Sequence, residues 1–241
     1  MNRGVDSAVS AMSTAQQWLD VVTNNLANAS TTGYKKDGLT FNDGLLRQMA
    51  LNGGEGNYIG TLGSGMTVKD FYTDFSLGTI ETTGNTLDFA LNSPKCAFGI
   101  QTESGIRFTR DGAFQLNNER QLIDKQGNLV LNASQQPITI PKGELSIGND
   151  GSISVNGQPV DKLGVFEGSF TKQGNSLYSA TDATPSENSL LTTGALESSN
   201  VNPVEEMVQM IRLNRAFELA QKNVQSQDES TERLISSMNS R

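Results

Sequence analysis

Cys96 is the single thiol of the chain, and there is no histidine anywhere to activate it. A thiolate nucleophile or a serine hydroxyl needs a neighbouring base, and imidazole is the usual one. Cys96 lies between Lys95 and Ala97. A small buried apolar residue accounts for it better than a reactive thiol does. The serines form no Gly-x-Ser-x-Gly elbow. Asp88, Glu103 and Asp111 are the candidate carboxylates, but Asp111 is accounted for by an Asp111-Gly112 turn. No two of them stand in contrasting surroundings, as an acid and a base must. One cysteine and no histidine also rule out an internal disulfide and the usual zinc donor sets. Asn149-Asp-Gly-Ser reads as a turn, not a calcium loop. Gly60-Thr-Leu-Gly-Ser-Gly65 looks like a phosphate loop, yet no Lys-Ser/Thr follows it and no helix begins there. The expectation is a protein with no catalysis, no metal and no cofactor.

With chemistry set aside, the elements themselves carry the information. Val5, Ala8, Met12, Ala15, Leu19, Val22, Leu26 and Ala29 recur at alternating spacings of three and four. That is the seam of a helix that pairs with another helix. Only Arg3, Asp6 and Asp20 are charged before residue 35. A helix with water on its back usually carries charge there. Serine, threonine, glutamine and asparagine stand there instead, so its back is also expected to be covered by protein. One helix buried centrally in a globular domain is the plainer alternative. Trp18 lies off the seam, where it either anchors a neighbouring chain or fills a wide helix interface.

A second helix is expected near the other end. Asn202 is placed to cap it, Pro203 suits its first position, and Glu205 and Glu206 oppose the positive end of its dipole. Val204, Met207, Val208 and Ile211 read as one stripe, continued after a shift by Leu213, Phe217, Ala220, Val224, Leu234 and Met238. At 1.5 Å per residue the two helices would run about 40 Å and about 50 Å.

Between the helices the period changes. Residues 98–181 read as short strands separated by Asp111-Gly112, Gln126-Gly127, Asp150-Gly151 and Asn156-Gly157. Such pairs supply the positive φ of hairpin turns. Glycine-rich residues 37–80 read as an extended, partly mobile connector. The expected class is α+β and multidomain: terminal helices forming a coiled-coil hairpin, with a connector and an all-β domain inserted. The expected boundaries are 1–33, 34–80, 81–195 and 196–241. The net charge of −8 leaves no basic patch for nucleic acid. No apolar run reaches the ~18 residues of a membrane span. The first residues lack an apolar signal core.

Three stretches resemble one family. NNLANASTTGYKK (24–36) is similar to the N-terminal signature of bacterial flagellar rod and hook proteins. TTGNTLDFAL (82–91) and FTRDGAFQLN (108–117) resemble their central β motifs. LESSNVNPVEEMVQMIRLNRAFE (196–218) resembles their C-terminal signature. The resemblance therefore covers both ends and the middle, in order. One departure is visible. The family's Gly-Phe-Phe entry to the β domain is replaced by Ser93-Pro-Lys-Cys-Ala-Phe98, which leaves the start of that strand open.

The resemblance implies a structural subunit, not an enzyme. Terminal helices would join an inner tube of many subunits, a connector would brace it, and the β domain would lie outside. The size and wording are nearer to the proximal rod proteins than to the distal ones. Val5, Met12, Leu19, Val22, Leu26, Val204, Val208, Ile211, Phe217, Val224 and Leu234 would then form the assembly interface. Asn24, Asn25 and Asn28 would be satisfied by neighbouring chains without burying charge. Gly33 would cap the first helix. The second helix holds five basic and six acidic residues over 201–241, which suits one wet face. Partners would be copies of the chain, other rod proteins and the flagellar type III export gate. Export would need no cleaved signal, and the location would be the periplasmic rod of the basal body. Phe41 and Leu45 match the spacing of the family's gate-recognition element, and simple packing of the connector is the alternative. A surface adhesin with a carbohydrate-binding β domain, and a peptidoglycan hydrolase, are the rival readings from other classes.

Overall fold

The computed structural model describes residues 3–43, 47–50, 58–62, 66–174, 176–186 and 191–239. The chain divides into two compact units. The first comprises Met1–Ala27, Asp37–Tyr72 and Asn202–Arg241; the second comprises Asn28–Lys36 and Thr73–Val201.

The first unit holds two helices, α1 (Arg3–Ala27) and α2 (Pro203–Asn239), packed along one another. α2 begins as its sequence dictates. The Asn202 side-chain oxygen accepts from the N–H groups of Val204 and Glu205 at 3.1 and 3.4 Å, with Pro203 as the first helical residue. The connector is more regular than expected. Asp37–Asp43 pairs with Met66–Thr73, and Arg47–Ala50 pairs antiparallel with Tyr58–Leu62. Gly63 to Gly65 of the glycine-rich loop lie outside the described residues.

α1 stops at Ala27, short of the expected end at Gly33. Asn28 begins a series of turns, in which its carbonyl accepts from the Thr31 N–H at 3.0 Å. Gly33 does have a positive φ of 67°, but not as the helix cap. A Cβ there would stand 2.4 Å from the Arg110 carbonyl carbon, so the position needs glycine for conformation and for close approach together.

The second unit is all β among its described residues. Cys96–Thr102 is the central strand of a nine-stranded sheet. It pairs antiparallel with Gly105–Thr109 along one edge. Leu129–Val130 and Val165–Glu167 share the other edge. The pleat sends alternate side chains to opposite faces. Cys96, Phe98 and Ile100 enter one core cluster, whereas Ala97 enters another with Phe108, Phe166 and Tyr178. Phe89, Phe98 and Phe114 form a triangle at the centre of the larger cluster, with ring centroids 5.2 to 6.5 Å apart. The strand start left open by the missing Gly-Phe-Phe falls at Cys96, which is buried.

Asn156-Gly157 makes the expected hairpin turn, with φ of 53° and 76°. Asp111-Gly112 does not. A Cβ on Gly112 would meet the Phe89 carbonyl oxygen at 1.9 Å, so this glycine serves strand contact and not a turn. The unit is closed by pairing early strands with late ones. Phe89–Leu91 pairs with Leu191–Thr193, and Ile80–Thr82 pairs with Ala195–Glu197.

Candidate assembly surface

α2 carries two apolar faces. Glu206, Leu213 and Ala220 are buried, and Met210, Phe217, Val224 and Gln227 between and after them are half-buried. Their spacings of four and three define the covered seam. Val204, Met207, Val208, Ile211 and Leu219 stand on the opposite side at 3.6 residues per turn. All five are exposed, Val204 at 64% and Leu219 at 62%. The expected single stripe is thus two. Hydrophobicity alone misplaces the register, because the seam's first covered member is a glutamate.

On α1 the expected seam positions Val5, Met12, Leu19 and Leu26 are half-buried and Val22 is fully buried. Leu234 lies within α2. Ile235 and Met238 fall on the seam side of α2 yet are 55% and 77% exposed. The cause is length. α2 has 37 residues and α1 has 25.

The asparagines divide their work. Asn25 is buried and brackets the backbone of Asp37: its amide donates to the Asp37 carbonyl, and its side-chain oxygen accepts from the Asp37 N–H, both at 2.9 Å. A side chain here imitates a ladder partner at the first residue of strand Asp37–Asp43. Only an amide can both donate and accept in this way. Neighbouring chains are therefore not required to satisfy Asn25, contrary to expectation. Asn28 accepts from the Thr31 hydroxyl at 3.2 Å, and Asn24 is exposed. Trp18 packs on Phe41, with ring centroids 5.2 Å apart, which fills an interface inside the unit. Leu45 lies outside the described residues.

Among its described residues the second unit brings no nucleophile to a base. Asp88 accepts from the Thr83 hydroxyl and the Asn85 amide at 2.6 and 3.0 Å, closing a turn. Asp111 pairs with Lys125 at 3.1 Å, and Lys125 also donates to the Thr32 hydroxyl at 2.8 Å. These groups line a cleft of about 340 Å³ and satisfy one another within it. Glu103 is exposed at the turn between two strands. Among the described residues no acidic, cysteine or histidine cluster is fit to hold a metal. Hydrogen bonds from Ser169 hold the Asp182 carboxyl below its ordinary 3.8, and those from Ser152 do the same for Asp150.

One cluster escaped the sequence. Glu197, Lys35 and Arg110 are all buried. One Glu197 oxygen accepts from the Lys35 ammonium at 2.6 Å and from the Gly78 N–H at 2.9 Å. The other accepts from Arg110 Nε and Nη2 at 3.0 and 2.9 Å. Arg110 Nη1 donates to the carbonyls of Ser93, Pro94 and Cys96, and Lys35 also donates to that of Ser76. Burial pushes the Lys35 pKa below the ordinary 10.5, while Glu197 pulls it back up.

The family described as "Flagella basal body rod protein" matches residues 6–35. "Flagellar hook protein FlgE/F/G D1 domain" matches 97–155, and "Flagellar basal body rod FlgEFG protein C-terminal" matches 192–237. The flagellar basal-body rod protein FlgF of Mesorhizobium japonicum is 32% identical, over 94% of this chain and 95% of its own. The rod protein FlgG of Bacillus subtilis is 33% identical, over 98% of each chain. The flagellar hook-basal body complex protein FlhO of Bacillus subtilis is 28% identical, over 97% of each. With helix signatures at both ends, a β motif between them and such coverage, the chain belongs to the FlgF/FlgG-type family of flagellar basal-body rod proteins.

Proposed function

We propose that this chain is a structural subunit of the flagellar rod, polymerising through its helix pair into the axial shaft that transmits torque and encloses the export channel. The observation that carries the reading is the second apolar face of α2. Val204, Val208, Ile211 and Leu219 stand in water opposite a seam that is already covered. A stripe of this kind on a helix whose other face is packed marks a surface for protein association. The helix pair then works as a coiled-coil hairpin. Its outer stripe, with the α2 residues beyond the reach of α1, receives helices of neighbouring copies and of other rod proteins. The polar and charged residues of α2 keep one face wet.

The place we assign is the proximal, FlgF-like part of the rod. The wording of DFSLGTIETTGNTLDFAL and SSNVNPVEEMVQMI supports it. The distal, FlgG-like place is the alternative, since relatives of both names match about equally well. The subunit reaches the periplasmic rod by type III export. Phe41 and Leu45 serve the export gate while the chain is unfolded, before Phe41 closes on Trp18.

Deletion of the gene, followed by a motility assay and electron microscopy of isolated basal bodies, tests the reading. Non-motile cells with rods stopped at a short proximal stub support the proximal place. Rods truncated further out move the assignment to the distal place. Motile cells with complete basal bodies refute the structural role. Ile211→Asp supplies a finer test, with loss of incorporation expected while the β unit stays folded.

A further inference from the structure

The chain passes the Glu197 position twice, once on the way into the β unit and once on the way out. The two passages lie side by side and are joined at three points. The Gly33 N–H donates to the Glu197 carbonyl at 2.8 Å, Lys35 pairs with the Glu197 carboxylate at 2.6 Å, and the Lys36 N–H donates to the Asn200 side-chain oxygen at 2.8 Å. Between them in sequence stand all the core strands of the unit. Arg110, from the end of strand Gly105–Thr109, reaches the same carboxylate. One side chain thus ties the outgoing passage, the segment at Gly78, the core sheet and the returning strand Ala195–Glu197.

Charge makes the tie conditional. Two cations and one carboxylate are withdrawn from water together, with side-chain exposures of 0% and 1%. Without Glu197, Lys35 and Arg110 would keep hydrogen bonds only to backbone carbonyls, with Asp74 acting on Lys35 from beyond hydrogen-bond contact. A buried cation stripped of its counter-charge is far costlier than an exposed one. Glu197 is also the last of the three in chain order. The two cations therefore cannot be buried at low cost until the returning strand has arrived.

We propose that Lys35, Arg110 and Glu197 form a two-ended latch: the β unit closes, and the passages into and out of it are set side by side, only when Glu197 is delivered between the two cations. The latch makes closure depend on chain ends that are far apart in sequence. An incomplete or late-returning chain stays open and retains the flexibility of an unlatched chain. This property is independent of which place in the rod the subunit takes.

Hydrogen exchange on the full chain tests it, read at the Gly33 and Gly78 amides. Glu197→Gln should lower their protection ~100-fold or more, the size expected for removing one partner of a buried ion pair. Unchanged protection in that variant overturns the latch. Should Glu197→Gln fail to fold, the double variant Lys35→Met/Glu197→Gln decides. It buries one cation fewer, so it should fold and recover part of the lost protection. Failure of the double variant to recover overturns an ionic latch. So does a double-mutant cycle with Lys35→Met in which the two losses simply add.

Discussion

The interior of the β unit and the outer face of α2 solve opposite problems. Phe89, Phe98 and Phe114 are closed off from water by their own chain. Val204 and Ile211 are as apolar in type and stand 64% and 52% exposed. Burial of apolar surface is the main force in both folding and association. The difference teaches where each part's stabilisation is to be found. The β unit draws it from within, whereas under the proposed rod function the exposed stripe of α2 would gain it from another chain.

Substitutions can break that contrast or sharpen it. Phe98→Ala should be the most damaging, at about 3–5 kcal/mol, because the aromatic triangle leaves a cavity that rigid strands cannot fill. Urea unfolding followed by circular dichroism would measure it, and a loss near that of a surface substitution would contradict the packing described. Gly33→Ala should cost roughly 1–3 kcal/mol from the left-handed φ alone, with the approach to Arg110 adding to it. It is read by hydrogen exchange in peptides covering 28–36. Asn25→Leu keeps the volume but removes both Asn25 hydrogen bonds to the Asp37 backbone, at about 1–3 kcal/mol. Trp18 is the single tryptophan and packs on Phe41, so its fluorescence reports the unfolding of that unit. Ile211→Ser should move the same transition in the isolated chain by less than ~0.5 kcal/mol, as a surface substitution does, yet weaken incorporation into rods. A large loss of stability in the isolated chain would mean that the stripe is already covered.

The smallest effect concerns pH. The Asp182 carboxyl is held below 3.8 by Ser169, so its folded value is lower than its unfolded one. Its contribution is fully present above 3.8 and disappears as pH falls through the lowered value. Asp182→Asn should therefore flatten the acid limb of the stability profile, by lowering stability slightly above pH 3.8 and leaving the acid end nearly unchanged.

Sequence periodicity located the helices and the β region because both patterns are local. The α1 seam repeats in threes and fours, and the Asn156-Gly157 turn needs two residues to be read. The α2 register was hidden by Glu206, since a buried glutamate looks like a dipole-facing surface acid until its cover is seen. The latch was hidden for a different reason. Lys35 and Glu197 are 162 positions apart and Arg110 and Glu197 are 87 apart. Each of them, read alone, is an ordinary solvated charge. Gly33 gave a partial signal: its need for a positive φ was legible, but the Arg110 backbone pressed against it was not.

Asn25 has a consequence for the medium the protein can tolerate. The amide that grips Asp37's backbone has no titration near physiological pH and no net charge for ions to screen. The attachment of strand Asp37–Asp43 to α1 at this point should hold equally in dilute and concentrated salt. It is a joint indifferent to the electrolyte around it, where a charged pair in the same place would loosen and tighten with every change of compartment.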